Sequence, residues 1–197
     1  MKIKNKKGMT LIELIVAISI MTIVMTGSSM MLVRLWDGRV NEVKMGQSSL
    51  LASQSVTEMI KNIRKSSQAD SGAYFLDSGD DFEIIFYSDI DNDDHMERVH
   101  YYVEGSELKV GTAEPILGIN PTYPEDDEVV SVLSDYLVNE EAEPLFTYYD
   151  SNGAIVDTPV QSSYVTLVRV TIHINVDPDN IGDTVISSSA SFRNIDT

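Results

Sequence analysis

The chain has 197 residues, 31 of them acidic and 14 basic, a net charge of −17, and no cysteine. That length suits one globular domain plus an extended element. The missing cysteines exclude disulfides, thiolate metal sites and lipidation on sulfur, and the acidity argues against nucleic acid or any other phosphate-bearing partner.

The charge is polarised along the chain. Four of the basic residues are Lys2, Lys4, Lys6 and Lys7, whereas from Ser66 onward only Arg98, Lys109, Arg169 and Arg193 stand against 27 acids, a net of −23. The lysine-rich start ends at Gly8 and is followed by Met9-Thr10-Leu11-Ile12-Glu13-Leu14-Ile15. After Glu13 come 20 residues without a charge, 14–33. As a helix this run is about 30 Å long, the thickness of a bilayer's hydrocarbon core. The lysines before it predict a cytoplasmic amino terminus and leave the acidic remainder outside the cell. A cleaved secretory signal needs a shorter apolar stretch that ends in small residues. A plain membrane anchor fits the length but leaves Glu13, inside the apolar segment, as an unexplained cost.

Residues 2–15, with their lysine leader, glycine, and Thr10-Leu11-Ile12-Glu13 in this register, resemble the prepilin cleavage site of type IV pilins and type II secretion pseudopilins. The resemblance implies cutting between Gly8 and Met9 on the cytoplasmic face by a prepilin peptidase, and methylation of the new Met9 amine. Met9 stands where the family often has phenylalanine. Glu13 becomes the fifth mature residue and is implied to pair with the terminal amine of a neighbouring subunit. A carboxylate in low dielectric needs such a partner. The expected division is a leader at 1–8, a transmembrane and filament-core helix at 9–35, its amphipathic continuation at 36–68 and an acidic extracellular head at 69–197.

Helical patterning continues past the apolar run. Trp36, Val40, Val43, Gln47, Leu50, Leu51, Gln54, Met59, Ile60 and Ile63 recur mostly at steps of three and four, which predicts a long helix with this face packed on the head. Gly27-Ser28-Ser29 is its weakest helical spot, either a bend point or a place of close helix packing. Trp36 reads as an interfacial anchor or as a helix contact in a filament. The helix is expected to end between Ser66 and Gly72.

Beyond residue 70 the period becomes two. Strands are predicted at 73–76, 82–87, 99–103, 108–111, 129–133, 145–149, 168–176 and 185–192, with a turn at Asp150-Ser151-Asn152-Gly153. In the clearest strand Val168, Val170, Ile172, Ile174 and Val176 face inward, and Arg169, Thr171, His173 and Asn175 outward. Long helix first and antiparallel strands after give an α+β fold. This order is similar to the pilin fold. Phe86-Tyr87-Ser88-Asp89-Ile90-Asp91, Glu97-Arg98-Val99-His100-Tyr101-Tyr102 and Pro144-Leu145-Phe146-Thr147-Tyr148-Tyr149-Asp150 with Gly153 resemble minor pilins of the W type and the J-type pseudopilin.

Asp89, Asp91, Asp93 and Glu97 alternate as oxygen ligands do in a calcium loop. Against that reading, Asp94 occupies the sixth position, where a glycine is expected, and His100 the twelfth, where a glutamate is expected. The alternative is an acidic hairpin tip. The acid runs at 124–128 and 140–143 have no ligand spacing and read as solvated loops. His95, His100 and His173 form no zinc pattern, and His100 and His173 fall on predicted outer faces. Nucleophile-elbow and phosphate-loop patterns are absent, so no catalysis and no cofactor are expected, calcium apart.

The predicted function is assembly into a pilus-like filament serving adhesion, motility, DNA uptake or protein secretion. The implied partners are other pilin or pseudopilin subunits, the prepilin peptidase, a membrane assembly platform and, before assembly, the lipid bilayer. The alternatives are a membrane-anchored, calcium-dependent binding module that never polymerises, and a tethered hydrolase using an acid pair.

Overall fold

The computed structural model describes residues 8–160, 164–177 and 182–192; the leader lysines Lys2 to Lys7 fall outside them. The first element is α1, Leu11–Lys65, 55 residues long. It runs unbroken through Gly27, Ser28 and Ser29, the expected weak spot. In the apolar stretch Ser19, Thr22 and Thr26 each donate a 2.8 Å hydrogen bond to the carbonyl four residues earlier. Their hydroxyls therefore need no outside partner, as an apolar medium requires.

The chain divides into two compact units between Val43 and Lys44. In the first, every residue from Gly8 to Trp36 is exposed. An exposed helix that is apolar all round is suited to lipid or to packing against other helices.

Among the described residues the second unit contains the end of α1 and nine strands. β1 (Leu76–Gly79), β2 (Glu83–Ser88), β3 (Glu97–Glu104), β4 (Glu107–Ala113) and β5 (Val129–Ser134) make one antiparallel sheet in that order. β6 (Phe146–Tyr149), β7 (Ile155–Val156), β8 (Leu167–Ile174) and β9 (Thr184–Ser191) make a second, in the order β7-β6-β8-β9. The α+β expectation holds. β7 was not predicted: two residues carry no readable period. Met59, Ile60 and Ile63 of the helix share a core with Ile84, Phe86, Val99 and Tyr101 of the first sheet and with Phe146, Val168, Val170 and Ile172 of the second.

The helix face differs from expectation above Met59. Met45, Ser48, Ala52, Ser55 and Val56 are buried, while Val43, Gln47, Leu50, Leu51 and Gln54 are exposed. Small residues let the helix lie close to the sheet, and the sheet supplies polar partners for them. Ser55 Oγ donates to the Leu133 carbonyl at 3.0 Å, and Ser48 Oγ to Asp135 at 3.1 Å. Counting only large apolar residues selects the opposite face.

The outward-facing histidines also depart from expectation. The connection from β4 to β5 folds over the first sheet's outer face. Tyr123 packs against Tyr87 in a tilted pair with ring centroids 4.9 Å apart, and Glu128 meets His100 Nδ1 at 3.1 Å and Arg98 at 3.6 Å. Gly111 leaves the room for this, since a Cβ there would collide with the Glu128 side chain. His173 in β8 and Asn175 just beyond its end are buried. Residues 136–139 run beside the end of β8, where Val138 N–H donates to the His173 carbonyl and His173 N–H to Asn139 Oδ1, both at 3.0 Å. His173 Nδ1 lies 3.1 Å from Glu143. Two acids from the presumed solvated runs, Glu128 and Glu143, thus serve as histidine partners.

Candidate functional site

The start of the helix is built by two residues. Thr10 N–H and Thr10 Oγ1 both donate to Glu13 Oε2, at 2.8 and 2.9 Å, and Glu13 N–H reaches back to Thr10 Oγ1 at 3.4 Å. This is a capping box: an N-cap threonine and a glutamate at the third helical position satisfy each other's orphan groups. Sequence reasoning missed this role, although Thr-x-x-Glu ahead of an apolar run is its signature. Glu13 therefore has a local reason to exist besides any partner in another chain. Gly8 and Met9 precede the box and are exposed.

The second cluster sits at the tip between β2 and β3. Ligand atoms of Asp89, Asp91 and Glu97 lie within 4.8 Å of one another. Asp89 Oδ1 accepts from Asn92 N–H at 2.6 Å, and Asp91 Oδ1 from Asp93 N–H at 3.2 Å. Asp93 does not join the three. Its Oδ1 accepts from His95 N–H at 2.8 Å, bracing the turn instead. His95 Nδ1 points away to Asp70, 3.1 Å from its carboxylate. Asn92 and Asp94 both adopt left-handed backbone conformations, φ 68° and 71°. Asp94 thus takes, at the sixth loop position, the conformation usually left to glycine.

Glu97 is the buried member, with 1% of its surface exposed. Its Oε2 accepts from Ile90 N–H at 2.7 Å, while Oε1 has no hydrogen-bond partner among the described residues. Burial pushes its carboxyl up to about 7 against the opposing Ile90 hydrogen bond, and the charges of Glu114 and Asp91 add to the rise. Lys65, at the end of α1, donates to the Asp89 carbonyl at 3.1 Å and to Asn92 Oδ1 at 2.7 Å. It ties the loop to the helix through groups other than the three carboxylates.

Residues 3–29 match a family model described as the prokaryotic N-terminal methylation motif. The match contains Gly8, Met9, Thr10 and Glu13 and runs into the exposed apolar helix. No curated protein matches the chain.

Proposed function

We propose that this chain, whose amino terminus matches the prokaryotic N-terminal methylation motif, is a minor pilin or pseudopilin subunit that is cut after Gly8, methylated on Met9, held in the membrane by its apolar helix and then drawn into a filament. The observation that carries this reading is the methylation motif at the capped start of α1, whose residues up to Trp36 are apolar for the most part and all exposed. A bilayer first and neighbouring helices later would cover that apolar surface. The acidic head stays in water, outside the cell. The other parties are further subunits, the peptidase and the assembly platform. Resemblance in the segments around Tyr87, Tyr101 and Tyr148 favours a W-type minor pilin or a J-type pseudopilin.

The capping box adds a physical step. In the membrane-held state Thr10 supplies Glu13 with donors, so storage there does not demand an ion pair. After cleavage the Met9 amine of a neighbour offers a stronger, charged donor. Filament entry would then exchange a local pair for an intersubunit one.

The test is intact mass and amino-terminal sequencing of the full chain expressed with and without a prepilin peptidase. A chain that starts at methylated Met9 only when the peptidase is present supports the proposal. A full-length chain, or one cut beyond Val33, refutes it and leaves an anchored binding module as the better reading.

A further inference from the structure

We propose that Asp89, Asp91 and Glu97, at the tip between β2 and β3, bind a hard divalent cation, and that calcium is the ion they take. The geometry is the first support. Oxygens bound to one calcium at about 2.3–2.6 Å can be at most about 5 Å apart, and these ligand atoms already fall within 4.8 Å of one another. Little movement is needed to close on an ion.

The buried carboxylate is the second and independent support. Glu97 is 1% exposed, and its Oε1 finds no partner among the described residues. Buried polar atoms are almost always satisfied, and a lone carboxylate oxygen is among the costliest to leave bare. A cation held by Asp89 and Asp91 would be within reach of this carboxylate, whose ligand atom lies within 4.8 Å of theirs. Among the described residues no lysine, arginine or histidine nitrogen forms an ion pair with any of the three carboxylates. Lys65, which reaches the same loop, is engaged by the Asp89 carbonyl and Asn92.

The donor set selects the ion. It is all oxygen, without imidazole or thiolate, because His95 turns to Asp70. That disfavours zinc and copper. Magnesium requires near-ideal octahedral geometry and gives up its water reluctantly, whereas calcium accepts irregular sets of six to eight oxygens. With three side chains contributing, water and backbone carbonyls would complete the shell. The expected affinity is that of extracellular modules, with Kd of about 10⁻⁴–10⁻³ M.

The experiment is thermal unfolding of the full chain in mild detergent, with calcium chloride compared against sodium chloride at equal ionic strength. Calcium at about 10 mM is expected to raise Tm by about 3–10 °C. Asp91→Asn, at an exposed position where folding is not at stake, should abolish most of that rise, and Glu97→Gln should do the same. Asp126→Asn, in the separate acid run, should keep it, and magnesium should give a smaller shift. No rise with calcium, or an undiminished rise in Asp91→Asn, overturns the site. Equal losses in Asp91→Asn and Asp126→Asn would overturn it too, by making the effect one of general acidity. A magnesium shift as large as calcium's would refute the choice of ion.

Discussion

Ala52 and Leu50 stand two positions apart on α1 and give opposite predictions. Ala52 has no exposed surface, whereas Leu50 is 61% exposed. Alanine and leucine are both strong helix formers, so exchanging them changes the helix's own preference by roughly a few tenths of a kcal/mol. Whatever larger effect appears must come from packing. Ala52→Leu adds three carbons where the helix meets the sheets, beside Ser48 and Ser55, whose hydroxyls reach Asp135 and Leu133. Overpacking of this kind costs about 1–3 kcal/mol. Leu50→Ala removes mostly exposed surface and should change stability by no more than about 0.5 kcal/mol. Urea unfolding of the full chain in mild detergent, followed by circular dichroism, separates the two. With a denaturant slope of roughly 2 kcal/mol per molar, Ala52→Leu should lower the midpoint by about 0.5–1.5 M and leave the slope unchanged. A neutral Ala52→Leu together with a destabilised Leu50→Ala would mean that the helix lies on the sheets by its large apolar face, and the packing argument would fall.

Three further outcomes are expected. Tyr101→Phe removes the phenol oxygen that accepts from Asn62 Nδ2 at 3.0 Å in the core; the stranded amide should cost about 1–3 kcal/mol in the same unfolding assay, and Asn62→Leu added to it should cost less than the two single changes summed. Tyr148→Phe removes the donor shared by the Asp80 and Glu83 carbonyls, at 3.0 and 3.2 Å, and should lower stability by about 1–2 kcal/mol. Glu13→Ala should leave peptidase cleavage intact, measured by mass, and reduce recovery of the chain in sheared filaments; normal recovery would remove the intersubunit pairing from the proposal.

The order of elements was legible because its signals are periodic and long. Residues 14–33 carry no charge at all, and β8 keeps Val168, Val170, Ile172 and Ile174 inward without a break. What failed was inference about the second face of each sheet. Alternation tells which side chains share a face, and nothing in it says whether that face is wet. His173 and Asn175 are buried because residues 136–143 come to lie against β8, and Arg98 because the β4–β5 connection folds back over β3. Those are long-range events written in loops with little period of their own. The acidic tip shows the same limit on a smaller scale. Spacing predicted four ligands, Asp89, Asp91, Asp93 and Glu97, but the turn spends Asp93 on His95 N–H and keeps the other three together.

Thr10, Glu13 and Gly8 differ in what folding asks of them. Thr10 and Glu13 are needed by the helix itself, since each satisfies the other's orphan groups. Their presence alone therefore cannot distinguish a processed chain from an anchor. Gly8 is different. A Cβ built there would meet nothing, and its backbone is not in the left-handed region. Neither packing nor conformation calls for glycine at that position, so an enzyme that reads the residue before the cut is the reason the proposal offers for it. Gly8→Ala should accordingly unfold at the same temperature as the parent chain and yet resist the prepilin peptidase, leaving the full-length mass. Conversely, Thr10→Val should weaken the helix start while the cut after Gly8 proceeds. If Gly8→Ala were cut as readily as the parent, the glycine would have no role in processing, and the case for cleavage would rest on the leader lysines and the apolar helix, which a plain anchor shares.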